Sequence, residues 1–209
     1  MTKIFNGPKN SITDVDGFLV GNAHDNKIKS GATVLTRSTS FRASVSILGG
    51  APGTKETDLL SPDKIVDNID GIVLAGGSAF GLDASSGVMD CLKNRNRGFD
   101  TGSIKVPIVP SAILFDLKNG GLKDWKINPY RDLGRKAFLN ISDNFEIGSI
   151  GAGCGATTSV VKGGLGTNSI FYDDRIKVGA IVAVNSVGSP FFPGTNILYS
   201  DFYGEKKEY

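Results

Sequence analysis

The chain has 209 residues, 40% of them hydrophobic, and a formal net charge of +2. No charged or Pro/Ser-rich linker divides it, so we predict one domain over residues 1–209. The basic residues are scattered, without an aromatic–basic stripe, which argues against a nucleic-acid partner. No apolar run could span a membrane, and the start lacks a signal peptide's apolar segment, so we expect a cytoplasmic protein with no membrane partner.

The predicted elements form layered α/β structure with a mixed or antiparallel sheet. The first half of the chain predicts a strand and turn over 12–23, strands over 32–36 and 43–48 joined by a turn over 37–42, and a short helix from 61–62 to 69. A strand over 69–75 and a helix ending near 98 follow. The second half predicts an edge strand or bend within 105–116, a loop over 119–129, a helix over 130–142, and a hairpin of 169–171 with 178–184.

Glycine is unusually frequent, with 28 residues, about twice the average share. Three tracts contain Gly-Gly pairs: 48–53, Gly76-Gly77 and 148–166. The strand over 69–75 ends at Gly76-Gly77 and leads into a helix, which presents bare backbone N–H groups and a positive helix terminus. We predict that the three glycine-rich strand ends converge on one place.

Two partial motifs also have purely structural interpretations. Ser78 lies in a sequence like a nucleophile elbow, but Phe80 occupies the position of the last glycine, and His24, the chain's single histidine, lies upstream. The run GAGCGA over 151–156 superficially matches a dinucleotide-binding fingerprint without a convincing acidic residue twenty positions on. Neither supports an α/β-hydrolase or a nucleotide cofactor.

Cys91 and Cys154 lack metal-ligand spacing and are expected to be reduced thiols in the core. We therefore predict no metal and no cofactor.

Three further residues have both a structural and a functional interpretation. Lys162 fits an ordinary surface lysine, and Tyr130 fits a packing residue at a helix start. Asn185 ends an apolar strand, where its amide could cap the following turn or donate to a developing oxyanion.

The chain resembles the L-aminopeptidase/D-esterase family of self-cleaving hydrolases, which includes β-peptidyl aminopeptidases and the nylon-oligomer hydrolase. The resemblance covers roughly residues 12–188, and the matching stretches occur in family order. They are NSITDVDGFLVGNAHD, GGAPGTKETDLL, GIVLAGGSAFGLDASSGV, VPIVPSAILFDL, PYRDLG, GAGCGATTSVVKGGLG and VGAIVAVNSVG.

The resemblance implies a four-layer α/β/β/α sandwich of the N-terminal-nucleophile type, completed by a second chain. In this family the precursor cuts itself once, and the new N-terminal Ser or Thr becomes the nucleophile, activated by its own surroundings. Nothing after Gly188 resembles a nucleophile segment. We therefore expect this chain to be the larger, N-terminal (alpha) fragment, paired with a beta chain from the same precursor in an oligomer of heterodimers.

Site residues follow by position. Asn185 matches the oxyanion-hole asparagine, Tyr130 the active-site tyrosine, and Lys162 a lysine of the nylon-hydrolase branch that could lower the nucleophile's proton affinity. Gly76 and Gly77, with Gly49-Gly50, would form walls near the site.

Substrate selection departs from the pattern of the β-aminopeptidases. Ser111 lies where that branch has an acidic residue that helps to hold the substrate amine, and Asp116 is a candidate replacement for this anchor. The implied activity is hydrolysis of a small peptide or other linear amide. Two alternatives stay open: an acyltransferase of related fold, and a non-enzymatic module that binds a small ligand on its glycine loops.

Overall fold

The computed structural model describes residues 4–173 and 175–202. The strands are β1 (Ile4–Asn6), β2 (Phe18–Asp25), β3 (Ser30–Phe41), β4 (Thr54–Lys55), β5 (Ile69–Ala75), β6 (Phe99–Asp100), β7 (Lys105–Val106), β8 (Ser111–Ile113), β9 (Gly164–Tyr172) and β10 (Ile176–Val184). The helices are α1 (Ala84–Asn94) and α2 (Tyr130–Leu139), and 3-10 turns occupy Ile12–Asp14, Asp58–Leu60, Ser78–Asp83, Gly151–Gly153 and Tyr199–Phe202.

The larger sheet has five strands in the order β2-β3-β5-β8-β4. Strands β5 and β8 run parallel, and every other neighbouring pair is antiparallel. The predicted mixed sheet is therefore confirmed. Because β5 and β8 are parallel neighbours, the segments that follow them leave the sheet at the same end of the two strands.

Helices α1 and α2 cover one face of this sheet. Their apolar side chains form the main core with those of β3 and β5, as the helical spacing of Val88 and Leu92 predicts. Phe138 and Val73 are fully buried in this core. Full burial of each such side chain stabilises the fold by about 1.5–3 kcal/mol.

A second sheet has three strands in the order β1-β9-β10. Strands β9 and β10 form the predicted hairpin, which is longer than expected because pairing extends from Ile176 opposite Tyr172 to Val184 opposite Gly164. Leu74 of β5 and Ala183 of β10 pack against one small buried cluster, so the two sheets face each other. The described residues thus form a helix–sheet–sheet arrangement.

Three predictions for residues 37–69 are wrong. Residues 37–41 continue β3 instead of turning, since Phe41 pairs with Ile69 after a register shift. Residues 43–48 form no strand because no neighbouring strand pairs with them there. The helix predicted from Ser61 is also absent: Ile69 is taken into β5, and Ile65, expected on the apolar face, is 90% exposed.

The first predicted strand begins later than expected. Ser11 caps the 3-10 turn Ile12–Asp14, and the Asp14 carboxylate accepts the Ser11 backbone N–H at 3.2 Å. This reciprocal cap holds the turn, so β2 starts at Phe18.

The apolar run over 105–116 is divided into β7 and β8, with a bend at its prolines. Strand β8 lies inside the sheet and not at its edge, because β4 pairs with its outer side.

None of the helices within residues 4–173 and 175–202 has the length and hydrophobicity that crossing a bilayer requires. In the same residues, no group of three His, Cys, Asp or Glu side chains is arranged to hold a metal ion. Cys91 and Cys154 are free thiols, the first partly buried and the second buried.

Candidate active site

Four segments meet at one end of the strands of the five-stranded sheet. Gly76 and Gly77 follow β5, Asp116 follows β8, Ser30 begins β3, and Tyr130 begins α2. We call these five residues the buried junction. Ser30, Asp116 and Tyr130 are all at most 2% exposed.

A directed chain of hydrogen bonds links the junction's side chains. The Tyr130 hydroxyl donates to Ser30 Oγ at 2.8 Å, and the Ser30 hydroxyl donates to Asp116 Oδ2 at 2.5 Å. The Gly77 backbone N–H donates to Asp116 Oδ1 at 2.7 Å. Asp116 therefore ties the ends of β5 and β8 to the beginning of β3.

Both junction glycines are required by close packing. A Cβ on Gly76 would lie 2.0 Å from Asp116 Oδ2, and one on Gly77 would lie 2.1 Å from the Tyr130 ring. Gly77 also has a φ of +84°, in the left-handed region. Any larger residue at these positions must displace the hydrogen-bonded chain.

The predicted convergence of glycine tracts is confirmed for two of the three. A Cβ on Gly155 would lie 2.7 Å from Asp116 Oδ2, so the third tract packs on the same carboxylate as Gly76. Gly49 and Gly50 are exposed with nothing packed against them, although the adjacent Ala51 lines a nearby cleft. The first tract therefore does not join the junction.

Tyr130 remains a protonated donor in this environment. Burial raises the pKa of its phenol, the hydrogen bond to Ser30 acts in the opposite direction, and the nearby Asp116 charge raises the pKa further. The net shift is upward. Trp125 packs edge-on against the ring, with the centroids 6.1 Å apart.

Asn185 follows β10 and lies half-buried at the rim of an apolar cleft between the two sheets. Its Oδ1 accepts the Phe115 backbone N–H at 2.8 Å, and its Nδ2 donates to the Thr157 carbonyl at 2.8 Å. Because an amide nitrogen carries two hydrogens, one remains available to another acceptor. The cleft has a volume of about 720 Å³, and its lining includes Leu74, Ala112, Leu114, Phe115, Ile181 and Ala183.

Lys162 lies at a second, more polar cavity of about 380 Å³, whose lining includes Cys154, Gly155, Asn119 and Thr157. Burial raises the pKa of the Cys154 thiol, and the Lys162 charge partly opposes that shift. Lys162 pairs with Thr157 in an isolated antiparallel bridge, so the Thr157 backbone connects Lys162 with Asn185.

Six of the predicted site residues thus fall into two groups that adjoin. Gly76, Gly77, Asp116 and Tyr130 lie in the buried junction. Asn185 and Lys162 lie on either side of Thr157. The two groups meet at Phe115-Asp116, since Phe115 binds Asn185 and Asp116 binds Gly77.

Ser111 does not join either group. It lies on β8, is 3% exposed, and its hydroxyl has no hydrogen-bond partner among the described residues.

Sequence reasoning missed Ser30, which joins Tyr130 to Asp116. A serine that opens a strand carries no signal in a single sequence. It also missed the Phe115 N–H and the Thr157 carbonyl, because backbone groups are not visible as motifs. The GAGCGA run forms only the single 3-10 turn Gly151–Gly153, without the helix that a dinucleotide fingerprint requires.

Comparison with known proteins identifies the family. The model of peptidase family S58 matches residues 10–206. The chain belongs to this family. The resemblance to L-aminopeptidases and their relatives is therefore confirmed.

Curated relatives agree with this assignment. An uncharacterized aminopeptidase of Mycobacterium tuberculosis is 40% identical over 205 residues, which covers 94% of this chain and 59% of the relative. A 6-aminohexanoate-oligomer endohydrolase of Kocuria sp. is 32% identical over 149 residues, covering 71% of this chain and 39% of that enzyme. The chain thus spans less than two thirds of the length of the curated relatives it matches.

Solved structures agree on the fold. The L-aminopeptidase D-Ala-esterase/amidase of Ochrobactrum anthropi, described as a new variant of the Ntn hydrolase fold, matches with a TM-score of 0.62 and 26% identity, over 79% of this chain and 49% of that one. A Burkholderia sp. beta-aminopeptidase matches with a TM-score of 0.67 and 18% identity, over 88% and 54% of the two chains. The α/β fold of the N-terminal-nucleophile type is therefore confirmed.

Proposed function

We propose that this chain is the alpha subunit of an autoprocessed amide or peptide hydrolase of aminopeptidase type. Its Ser or Thr nucleophile is the first residue of a beta chain cut from the same precursor, and residues 1–209 form one domain. The observation that carries the proposal is the Asn185 carboxamide, which is held at the rim of an apolar cleft with one N–H free to donate.

The chemistry of Asn185 suits amide hydrolysis. Attack on an amide carbonyl places negative charge on its oxygen, and a fixed N–H donor stabilises that charge more in the transition state than in the substrate. Both Asn185 contacts hold the amide in one orientation before the substrate arrives. Lys162, on the other side of Thr157, would favour the deprotonated form of an adjacent nucleophile.

Two open surfaces support a second chain. The outer edge of β10 pairs with no other strand of residues 4–173 and 175–202, and such an edge readily adds a strand from another segment. The outer face of the three-stranded sheet exposes an apolar patch, formed by Ile4, Ile170, Tyr172, Ile176, Val178, Val182 and Val184. A patch of this kind typically marks an interface.

The length of the relatives adds to this support. The matched mycobacterial aminopeptidase extends well beyond the region that this chain covers, since the alignment includes only 59% of it. The beta chain would supply the nucleophile, a strand on the β10 edge and the outer helical layer of the four-layer sandwich. The resulting heterodimers would assemble into an oligomer.

The substrate class is a small peptide or other linear amide, as the names of the aminopeptidase and oligomer-endohydrolase relatives suggest. Gly76, Gly77, Ser111 and Asp116 stay predicted substrate-site residues. Within the described chain, however, Asp116 and Ser111 are almost fully buried, so any substrate contact would require the residues that cover them to move.

The direct test is intact mass and N-terminal sequencing of the full-length gene product. We expect two chains, the second beginning with Ser or Thr, and amide hydrolysis by the pair. A single uncut chain that hydrolyses no amide in a panel of peptide and ω-amino-acid substrates would overturn the proposal. Added hydroxylamine would separate hydrolysis from acyl transfer by competing with water for the acyl group.

Replacing the oxyanion donor tests the mechanism. Asn185→Ala should lower kcat about 100-fold or more with a smaller change in KM, because the lost hydrogen bond forms mainly in the transition state. Asn94→Ala, at the exposed end of α1, is the matched control and should leave both constants unchanged. Equal kcat values for the two variants would contradict the role of Asn185.

A further inference from the structure

The orientation of the Asn185 carboxamide depends on the backbone N–H of Phe115, the residue that precedes Asp116 of the buried junction. Its oxygen accepts the Phe115 N–H, and its nitrogen donates to the Thr157 carbonyl. If Phe115 moved away, the Thr157 carbonyl alone would hold the amide, which could then rotate and present its oxygen to the substrate instead. A carbonyl oxygen at that position would repel a developing oxyanion.

Phe115 itself is half exposed, so its own side chain does not anchor its backbone firmly. The next residue does. Asp116 is 2% exposed and accepts hydrogen bonds from the Gly77 N–H and the Ser30 hydroxyl. Gly76 and Gly155 pack so closely on its carboxylate that neither could carry a Cβ without displacing it.

Hydrogen-bond direction makes this anchor specific for a carboxylate. An ionised carboxylate only accepts, so the Ser30 hydroxyl donates its hydrogen to Asp116 and accepts the hydrogen of Tyr130. An amide of the same shape would present an N–H₂ group to Ser30. The serine oxygen has two lone pairs and could accept from both this amide and Tyr130, but the buried Ser30 hydrogen would lose its acceptor.

We infer that Asp116 and Ser30 are positioning residues for Asn185: they fix the Phe115-Asp116 segment so that the Phe115 N–H holds the oxyanion-donating amide in its productive orientation. This inference rests on the proposed function, because it assigns Asn185 to the reaction. It gives Asp116 a role that does not require contact with the substrate.

The test compares Asp116→Asn in the full-length, processed protein with Asp116→Asn in an Asn185→Ala background. We expect the single variant to lower kcat roughly tenfold with KM changed less than about twofold, since small misplacement of a catalytic group costs rate. In the Asn185→Ala background, Asp116→Asn should cause no further loss of kcat, because both changes act through the same amide. Equal fold losses in the two backgrounds would overturn the inference.

Ser30→Ala is the milder second variant in case Asp116→Asn fails to fold. It removes one anchor and keeps the Gly77 N–H bond, so we expect a smaller loss of kcat that also disappears in the Asn185→Ala background. The matched control is Asp70→Asn. Asp70 is also a buried carboxylate, 3% exposed, and it accepts the Ile108 N–H at 3.0 Å at the opposite end of β5. Its loss should reduce stability and leave kcat unchanged.

Hydrogen exchange gives a readout that does not need activity. Peptides covering residues 113–118 should exchange faster in Asp116→Asn and in Asn185→Ala, and at the wild-type rate in Asp70→Asn. Unchanged exchange in Asp116→Asn would overturn the positioning role even in an inactive protein. Faster local exchange in a protein without amide hydrolase activity would instead retain the Asp116–Phe115–Asn185 coupling and overturn the proposed function.

Discussion

The buried junction and the three-stranded sheet differ in how completely their groups are paired and packed within the same chain. In the junction, Ser30, Asp116 and Tyr130 satisfy one another's hydrogen bonds, and glycines close the space around them. In the three-stranded sheet, β10 leaves one edge unpaired and the outer face exposes Val178 and its neighbours. The polar centre is therefore satisfied within the described residues, whereas the three-stranded sheet keeps an unpaired edge and an exposed apolar face there.

This difference separates two kinds of stability. A buried polar network loses much of its value when one member is disturbed, because the remaining groups are left without partners and away from water. A substitution on an exposed apolar face changes the stability of the lone chain little, because that face already contacts water. The same substitution is destabilising only where a partner covers the face. Substitutions in the two regions should therefore respond differently to the presence of a second chain.

The largest effect is expected at Gly77. Gly77→Ala should destabilise the protein by about 3 kcal/mol or more, because the new Cβ would meet the Tyr130 ring at 2.1 Å in addition to adopting a left-handed backbone. The free energy of unfolding in urea measures the loss.

Gly49→Ala is the control for that experiment. Gly49 also has a positive φ, +92°, but nothing lies within 4 Å of its Cβ position. Its cost should be about 1 kcal/mol, from backbone strain alone. If both variants lost the same stability, the tight packing of the junction would be refuted.

The elements around the junction were predictable from local pattern. Strand β5, the Gly76-Gly77 break and helix α1 follow from a continuous apolar run and helical spacing over a long segment. The prediction failed at 43–48, where alternation resembles a strand but no strand of the described residues pairs with it, and at 61–69, where pairing of Ile69 with Phe41 overrides helix signals. In both, the deciding contact lies outside the local window.

Single residues of the candidate site could be predicted, but their arrangement could not. Resemblance to the family indicated Asn185, Tyr130 and Lys162. It did not indicate that Ser30 bonds to Asp116, 86 positions away, or that Phe115 presents its N–H to Asn185. Such long-range pairings are set by sheet order, which the spacing of residues in one sequence does not encode.

The second-largest expected effect tests the exposed outer face of the three-stranded sheet. Val178, 52% exposed, lies on the outer face of β10. In the full-length protein, Val178→Lys should weaken association of the two chains by about 2 kcal/mol, since it replaces an apolar contact that association would bury. In the lone chain its effect on unfolding should be small.

Leu139→Lys is the matched control, because Leu139 is similarly exposed at the end of α2, in the helical layer on the other side of the molecule. Sedimentation analysis of the two variants compares their chain association. Undiminished association in Val178→Lys would show that no partner covers this face.

The smallest expected effect concerns the hydrogen bond that joins the capped first turn to the three-stranded sheet. Burial acts to raise the pKa of Asp14, but hydrogen bonds from the Ser169 hydroxyl and from the Ser11 and Lys9 backbones outweigh it, so the pKa lies below its usual value. Ser169 belongs to β9 and donates to Asp14 at 2.7 Å, which joins the capped first turn to the three-stranded sheet.

A lowered pKa in the folded state means that ionised Asp14 stabilises the fold above the unfolded-state pKa, about 3.9. That contribution decreases as pH falls below this value and through the lower folded-state pKa. The melting temperature of wild type should therefore exceed that of Asp14→Asn by a few degrees near neutral pH, and the gap should narrow in acid. Asp16→Asn, which removes only an exposed pair with Lys177, should show a smaller difference at neutral pH. If the melting temperatures of wild type and Asp14→Asn differed by the same amount at neutral and at acid pH, the Asp14 charge would not hold the turn to β9. The three-stranded sheet would then depend on apolar contact and strand pairing alone.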